Sequence, residues 1–261
     1  MPQSEYGRYY EDAVLDSDAL VVFRTEMVYI HTRYKNIESF PSVPATEDDH
    51  DRHVQHELDR FRRMWKSIQE KIGCQIIQNN FKLPPFAVFG NMDSVVSGAR
   101  SRFLLDLNSA FAAESRANSR LVIQDLLSIS SHLGLDHWFD WNRWFSYKIL
   151  YTSEANLRLA RSLQAIIGSM YGKARKVLVL DLDNTLWGGV IGDDGVDKIE
   201  IGRETPVAEA YTAFQEYCLE MRQRGILLAV CSKNNDEIAR QGFAHPDSVL
   251  KLEHFSAFKA D

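Results

Sequence analysis

Apolar residues recur along the chain at the two spacings that distinguish helices from strands. At steps of three and four residues they predict long helices at 54–72, 155–170 and 206–224, with shorter helices between them. Short apolar runs bounded by glycine or polar residues predict strands. These runs cover residues 19–30, 75–78, 121–123, 177–183, 226–231 and 248–252. Because strands alternate with helices, we expect an α/β fold whose sheets are mainly parallel.

The segment Lys173–Lys176 follows the end of a long helix and precedes a strongly apolar strand, so we predict a domain junction there. The length of 261 residues suits two domains of ordinary size. We therefore predict two three-layer α/β domains, at residues 1–172 and 173–261.

Composition and charge exclude several classes of protein. Hydrophobic residues make up 45% and charged residues 25%, the balance of a soluble globular protein. The net charge is −6 and the basic residues are scattered, so we expect no nucleic-acid surface. Apolar runs are strand-sized, which predicts no membrane span. Cys74, Cys218 and Cys231 form no Cys-x-x-Cys pair, so neither a disulfide framework nor a zinc site is indicated, and a cytoplasmic location is expected.

The strand predicted at 177–183 ends in an unusual way, with Asp181 and Asp183 two residues apart. Side chains at i and i+2 of a strand point to the same side, and open α/β sheets bind ligands at the carboxyl ends of their strands. A polar strand end or a helix cap would explain one aspartate, but not a pair after so apolar a run. Two neighbouring carboxylates repel each other, and a bound Mg²⁺ would remove that cost.

Paired carboxylates also suit phosphoryl transfer. One carboxylate can attack phosphorus to form an aspartyl-phosphate, while the other donates and then removes a proton. The next predicted core strand ends at Cys231, and the hydroxyl of the following Ser232 suits contact with a phosphate oxygen. A serine after a strand is more often part of a loop, and the preceding Asp-x-Asp-x-Thr strand is what favours the phosphate site.

The motif Asp181-Leu-Asp-Asn-Thr185, together with Ser232, resembles the haloacid-dehalogenase (HAD) superfamily of Mg²⁺-dependent phosphotransferases. The longer run LDLDNTLWGGVIGDDG resembles subfamily IIIC, the FkbH-like group, and the resemblance covers residues 176–261. It implies that Asp181 is the nucleophile and a metal ligand. It also implies that Asp183 is the general acid and base and offers its backbone carbonyl to the metal. Thr185 would support the turn, and Ser232 would bind the phosphoryl group.

The same resemblance predicts an open and incomplete site. The interval between Thr185 and Ser232 holds a loop and one helix, without room for a large cap domain, so a large or protein-borne substrate could enter. HAD sites also use a lysine and a further acidic metal ligand after the third strand. Lys259 and Asp261 lie too early to match them, and we assign them no role. We expect the second domain to be incomplete at its C-terminus, with little or no phosphatase activity as it stands.

Residues 1–172 resemble, less specifically, the SGNH-hydrolase-like domain of flavodoxin-like fold that precedes the phosphotransferase module in longer FkbH-like proteins. The Gly-Asp-Ser block of SGNH hydrolases is absent, and Ser4 and Ser17 lack its context. Their late Asp-x-x-His pair corresponds to Asp140 and Arg143, so a general base for a serine is missing. We expect this domain to be non-catalytic.

Two clusters in the first domain have alternative interpretations. Tryptophans at steps of three indicate one face of a helix, used for packing or for stacking on a ligand. Histidines at the start of the first long helix indicate a solvated helix start, with a metal site as the alternative. The residues are Trp138, Trp141 and Trp144, and His50, His53 and His56.

The FkbH-like resemblance implies a specific function. A phosphoglycerate-derived glyceryl unit would be dephosphorylated and loaded onto an acyl-carrier protein in polyketide or polysaccharide biosynthesis. The expected partners are therefore a phosphorylated small molecule or an acyl-carrier protein. Relatives use a cysteine for the thioester, and Cys231 is the candidate; because free cysteines are usually buried, a core role is the alternative. The competing hypothesis is a non-catalytic module that docks a carrier protein or a neighbouring biosynthetic domain.

Overall fold

The structure of the protein is a computed structural model that describes residues 8–15 and 18–260 of the chain. Ser4, Ser17 and Asp261 lie outside the described residues. Within the two described ranges, no helix is both long enough and apolar enough to cross a membrane.

The chain divides into two compact units, Met1–Met170 and Tyr171–Asp261. Each unit contains a three-stranded sheet whose strands are all parallel, with helices between consecutive strands. Each unit also buries a hydrophobic cluster of its own. The α/β fold class with parallel sheets, predicted from the alternation of strands and helices, is confirmed.

The first unit has strands β1 (Met27–Ile30), β2 (Gln75–Asn79) and β3 (Leu121–Gln124), in that order across the sheet. Ile76 and Ile77 of the central strand β2 are both fully buried, so both faces of this strand are covered. The helices of this unit are α1 (Tyr9–Val14), α2 (Asp18–Val22), α3 (Glu47–Lys71), α4 (Arg100–Ala117), α5 (Leu126–Leu133), α6 (Leu135–Trp138), α7 (Trp141–Tyr147) and α8 (Ser153–Met170).

Helix α3 shows how the sequence builds this core. The hydroxyl oxygen of Thr46 accepts a hydrogen bond from the backbone N–H of Asp49 at 3.2 Å, and the carboxylate of Asp49 accepts one in return from the backbone N–H of Thr46. Phe61 and Trp65 lie four residues apart and are both buried. The ring of Phe61 lies 4.8 Å from that of Phe111 in α4, centroid to centroid, so the two helices share one core.

The second unit has strands β4 (Val177–Leu180), β5 (Leu227–Ser232) and β6 (Phe255–Ala260), in that order across the sheet. Its helices are α9 (Ile191–Asp194), α10 (Pro206–Gln223) and α11 (Asp236–Gln241). Between β4 and α10 the chain forms only the four-residue helix α9, a 3-10 turn and two isolated bridges. As predicted, no cap domain is inserted there.

One face of the second sheet is buried and the other is exposed. Leu180, Leu228 and Val230 lie in the core, whereas Val177 and Val179 are 48% and 60% exposed. This alternation has the period of two that a strand shows when only one of its faces is packed. In the part of the chain that the structure describes, β4 pairs on one side only and forms an edge of the sheet.

Two of the predicted strands are wrong. The segment 248–252 is irregular because its backbone N–H groups bond to a side chain of α10. Oε1 of Gln215 accepts hydrogen bonds from the N–H groups of Val249 and Leu250, both at 2.9 Å. Backbone groups that bond to a buried side chain are not free to pair with a strand. The third strand is instead β6. The segment 19–30 likewise divides into helix α2 and the short strand β1, and the strand predicted at 177–183 ends at Leu180.

The histidine cluster differs from its predicted environment at one position. His50 was expected at a solvated helix start, but its ring is fully buried. Its Nδ1 lies 2.8 Å from the carbonyl oxygen of Ser97, and its Nε2 lies 2.8 Å from Oδ2 of Asp106. Both ring nitrogens therefore have partners, which is how a buried imidazole is accommodated.

The tryptophans do not share one helix face, because the chain breaks between α6 and α7. Asp140 caps α7, accepting a hydrogen bond at 3.0 Å from the backbone N–H of Arg143, so the Asp-x-x-Arg pair has a structural role in this chain. Trp138 and Trp144 are buried, while Trp141 is half-buried and stacks on Phe139 and Phe86. Packing is the main role of the cluster.

Candidate active site

The predicted nucleophile lies at the carboxyl end of the edge strand of the second sheet. The last pair between β4 and β5 joins Leu180 to Val230, and Asp181 is the next residue of the chain. Its side chain is exposed, and Oδ1 accepts a hydrogen bond from the backbone N–H of Leu182 at 2.8 Å. A carboxylate in this position is oriented by its own turn and open to solvent, as a nucleophile must be.

Asp183 is held far more firmly than Asp181. Its side chain is half-buried, and Oδ1 accepts hydrogen bonds from Nε1 of Trp187 at 3.0 Å and from the backbone N–H of Ile191 at 3.1 Å. Its Oδ2 accepts a third bond from Nδ2 of Asn234 at 2.8 Å. Three donors from three different segments fix the orientation of this carboxylate. Such a group can deliver a proton to one place and recover it there.

Asn234 is the site residue that the sequence reasoning did not assign. Its Nδ2 also lies 3.3 Å from Oγ of Ser232, so one amide joins the serine at the end of β5 to Asp183 after β4. The structure therefore brings Asp183, Ser232 and Asn234 into one hydrogen-bonded group. The available signal was the spacing of Ser232 and Asn234, two polar residues at i and i+2 where a buried strand ends.

Two hydrogen bonds and one tight packing contact hold the turn between the aspartates and α9. Asn184 has a left-handed backbone with φ of 53°, and its Oδ1 accepts a bond from the N–H of Gly189 at 3.1 Å. The backbone N–H of Thr185 donates to the carbonyl of Leu182 at 3.1 Å, a bond of the turn itself. Trp187, which donates to Asp183, packs against Gly242: a Cβ at that glycine would lie 2.5 Å from its ring.

Cys231 lies on β5 immediately before Ser232, and its side chain is exposed. The core role considered for this thiol is therefore wrong, whereas Cys74 and Cys218 are both buried. Across the sheet, Cys231 pairs in register with Lys259 of β6. Lys259 is thus part of the third strand itself and not of a segment that follows it.

The donor set at the end of β4 suits a hard divalent cation. The carboxylate of Asp181 and the backbone carbonyl of Asp183 offer oxygen, the ligand atom that Mg²⁺ prefers. In the described part of the first unit, Glu38, His56 and Glu57 also place ligand atoms within 4.8 Å of one another. There, however, Glu57 already pairs with the guanidinium group of its neighbour Arg60 across 2.5 Å, which competes with a cation.

No protein-family model matches this sequence, and no curated protein matches it. Among solved structures, the chain is similar to the crystal structure of the N-terminal part of the protein BF1531 from Bacteroides fragilis, which contains a phosphatase domain and is complexed with Mg. The TM-score is 0.83, the sequence identity is 27%, and the match covers 100% of this chain and 68% of that chain. The chain is therefore similar, over its whole length, to a phosphatase-domain structure with an HAD-like fold.

Proposed function

We propose that this chain carries a Mg²⁺-dependent phosphatase or phosphotransferase site of the HAD type, which works through an aspartyl-phosphate on Asp181. The observation that carries the proposal is the difference between the two aspartates after β4: Asp181 is exposed, while Asp183 is oriented by three hydrogen bonds. The similarity to a phosphatase-domain structure complexed with Mg supports the same assignment.

Each side chain then has one role. The carboxylate of Asp181 attacks phosphorus in line, its Oδ–P bond forms, and the bond from phosphorus to the leaving oxygen breaks. Asp183 gives its proton to that leaving oxygen. In the second half of the reaction a water molecule attacks phosphorus and gives a proton back to Asp183, while the bond from phosphorus to Asp181 breaks. The hydroxyl of Ser232 binds a phosphoryl oxygen, and Asn234 holds both Ser232 and Asp183.

The carboxylate of Asp181 and the backbone carbonyl of Asp183 are the groups that would hold Mg²⁺, which leaves the carboxyl group of Asp183 available for proton transfer. When bound, the cation offsets the negative charges of the nucleophile and the phosphoryl group, which otherwise repel each other. Without it, Asp181 approaches a phosphate dianion at a considerable electrostatic cost.

The test uses beryllofluoride, which imitates the phosphoryl group of an aspartyl-phosphate, together with Mg²⁺. The melting temperature of the wild type is expected to rise most when both are present, because Mg²⁺ offsets the negative charges of Asp181 and beryllofluoride and the bound pair stabilises the folded chain. Asp181→Asn should abolish the rise, because an amide is neither nucleophile nor anionic ligand. The matched control is Asp197→Asn, which removes an equally exposed carboxylate from the 3-10 turn between α9 and α10 and should leave the rise unchanged.

A rise of equal size in wild type and Asp181→Asn would contradict the proposed site. Indifference of the wild type to Mg²⁺ and beryllofluoride would favour either a site without the lysine and the further acidic ligand of HAD sites or a non-catalytic module that docks a carrier protein or a neighbouring domain.

A narrower version of the proposal follows the FkbH-like resemblance, with a glyceryl unit loaded onto an acyl-carrier protein. The exposure of Cys231 beside Ser232 supports it, because a thioester needs an accessible thiol. The thiolate would attack the carbonyl carbon of an activated glyceryl donor, whose bond to its leaving group breaks. The carrier thiol would then attack the same carbon and release Cys231. Incubation with an activated glyceryl donor should add the mass of one glyceryl group to the wild type and none to Cys231→Ser.

A further inference from the structure

The first unit buries four hydrogen-bond donors for which its described residues provide no acceptor; Nε2 of Gln69 is one, and the other three lie close together. These three are Nζ of Lys82, Nε1 of Trp138 and the hydroxyl of Tyr151. Lys82 is only 4% exposed, Tyr151 is 8% exposed and Trp138 is fully buried. A buried polar group without a partner destabilises the fold, and more so if it is charged. Three unpaired donors at one place are unexpected, because nearly all buried polar groups in folded proteins form hydrogen bonds.

The three donors belong to one cluster. Nζ of Lys82 lies 3.7 Å from the ring centroid of Phe139 and 5.9 Å from that of Tyr151. The rings of Tyr151 and Trp138 lie 5.6 Å apart, centroid to centroid. The face of Phe139 offsets part of the cost of the buried ammonium by a cation–π contact. It accepts no conventional hydrogen bond, so the N–H groups of Lys82 still need oxygen atoms.

The charge around this cluster is positive. Burial, and then the charge of Arg33, lower the pKa of Lys82 to about 7. Burial, and then Arg33 and Lys82, lower the pKa of His31 to about 4. Neither shift has a contribution from a carboxylate, which would act in the opposite direction. The fold has therefore placed the buried ammonium of Lys82 beside two further unpaired donors, and no carboxylate contributes to its pKa shift.

The cluster lies where a parallel sheet binds ligands. Arg33 follows the carboxyl end of β1 and Lys82 follows that of β2, two strands that are neighbours in the sheet. The ring centroid of His31, which directly follows β1, lies 5.8 Å from that of Tyr151, and part of this residue reaches the surface although its ring is largely surrounded by protein.

We propose that the first unit contains an anion-binding site at the carboxyl ends of β1 and β2, in which Lys82, Tyr151 and Trp138 donate hydrogen bonds to the oxygen atoms of a carboxylate or phosphate group. Donors select an acceptor-rich ligand, and the ammonium selects a negative one. A metal cation is excluded, because neither an ammonium group nor an indole N–H can coordinate it. This site is separate from the aspartates of the second unit and does not depend on the function proposed for them.

The test is the melting temperature of the full chain in sodium phosphate and in sodium acetate, each compared with sodium chloride at equal ionic strength. All buffers are freed of metal with a chelating resin and contain no other carboxylate or phosphate, so that the metal-dependent site does not contribute. We expect at least one anion to raise the melting temperature of the wild type in a saturable way. A response to phosphate alone assigns a phosphate group, and a response to acetate assigns a carboxylate.

Lys82→Met should remove the response, and because it deletes a buried unpaired charge it should fold at least as well as the wild type. Tyr151→Phe should weaken the response by removing one donor. The matched control is Lys66→Met, which removes an exposed lysine on α3 and should respond like the wild type. Phosphate also stabilises proteins in general as a salt, and this effect is common to all variants. The quantity to compare is therefore the difference between variants in the rise of the melting temperature. A response that persists in Lys82→Met, or no saturable response of the wild type to either anion, overturns the proposal.

Discussion

Asn234 donates a hydrogen bond of 2.8 Å to Oδ2 of Asp183 and thereby ties the loop after β5 to the carboxylate presented after β4. The same Nδ2 lies 3.3 Å from Oγ of Ser232. The proton donor and the phosphoryl-binding hydroxyl of the proposed mechanism are thus held in place by one amide. The position of Asp183 depends on a neighbouring strand, and not only on its own turn.

Replacing Asn234 by alanine is expected to weaken the binding of Mg²⁺ with beryllofluoride. Asp183 would lose the donor to Oδ2, and removing a group that orients a ligand typically costs roughly 10-fold to 100-fold in affinity. Titration of beryllofluoride at saturating Mg²⁺, followed by the melting temperature, measures the change. Asn235→Ala is the control: its side chain caps α11, so it should lower the free energy of unfolding by about 1 kcal/mol without changing the affinity. Equal affinities for Asn234→Ala and wild type would remove Asn234 from the site.

Cys231 should be the cysteine that iodoacetamide modifies in the folded protein. Its side chain is exposed, whereas Cys74 and Cys218 are buried and burial raises the pKa of both thiols, that of Cys218 to about 11. Because the thiolate is the reactive form, both burial and a raised pKa slow alkylation. Peptide mass spectrometry after brief labelling near pH 8 should find one modified cysteine in the native protein and three in denaturant. Modification of Cys74 or Cys218 before Cys231 would contradict the exposure described above.

Gly242→Ala should damage both the second core and the site. The added methyl group would lie 2.5 Å from the ring of Trp187, and overpacking of this kind costs about 1–3 kcal/mol. Because Nε1 of Trp187 donates to Asp183, a displaced ring should also lower the affinity for beryllofluoride. Urea unfolding and the beryllofluoride titration measure the two effects. Gly168→Ala in α8, where nothing lies within 4 Å of the new methyl group, should be neutral or slightly stabilising. A fully stable Gly242→Ala would show that Trp187 can move without cost.

The stability of the wild type relative to Lys82→Met should rise with pH between about 7 and 10.5. The pKa of Lys82 is lowered to about 7 in the folded chain from an ordinary value of 10.5, so within this window the unfolded chain binds more protons. Stability then increases with pH, and the cost of the buried charge is fully present below pH 7. Burial raises the pKa values of the neighbouring Tyr34 and Tyr151, which delays their own titration.

Urea unfolding of both proteins at several pH values, without added phosphate or carboxylate, measures this difference. The advantage of Lys82→Met at pH 7 should shrink as the pH approaches 10. A difference in the free energy of unfolding that does not change with pH would mean that Lys82 keeps its ordinary pKa.

The sequence by itself determined the features that depend on near neighbours in the chain. The alternation of apolar runs and helical periodicities predicted parallel α/β sheets. The i, i+2 spacing of Asp181 and Asp183 predicted two carboxylates where β4 ends, and Ser232 was recognised where β5 ends. These positions could be predicted because the end of an apolar run is a local property of the chain, although the strand itself ends at Leu180, before both aspartates.

Only the tertiary structure decided which distant groups meet. Asn234 donates to Asp183, 51 residues earlier in the chain. Gln215 accepts a hydrogen bond from the backbone N–H of Val249, so the apolar segment around Val249 does not form the strand that its sequence predicted. Lys82 lies against Phe139 and close to Tyr151 although no sequence pattern connects them. Such contacts depend on how helices and loops pack over a sheet, and a hydrogen bond or a buried charge carries no periodicity along the chain. The aspartate pair was therefore visible in the sequence, while the amide that holds it and the buried lysine of the first unit became visible only in the folded molecule.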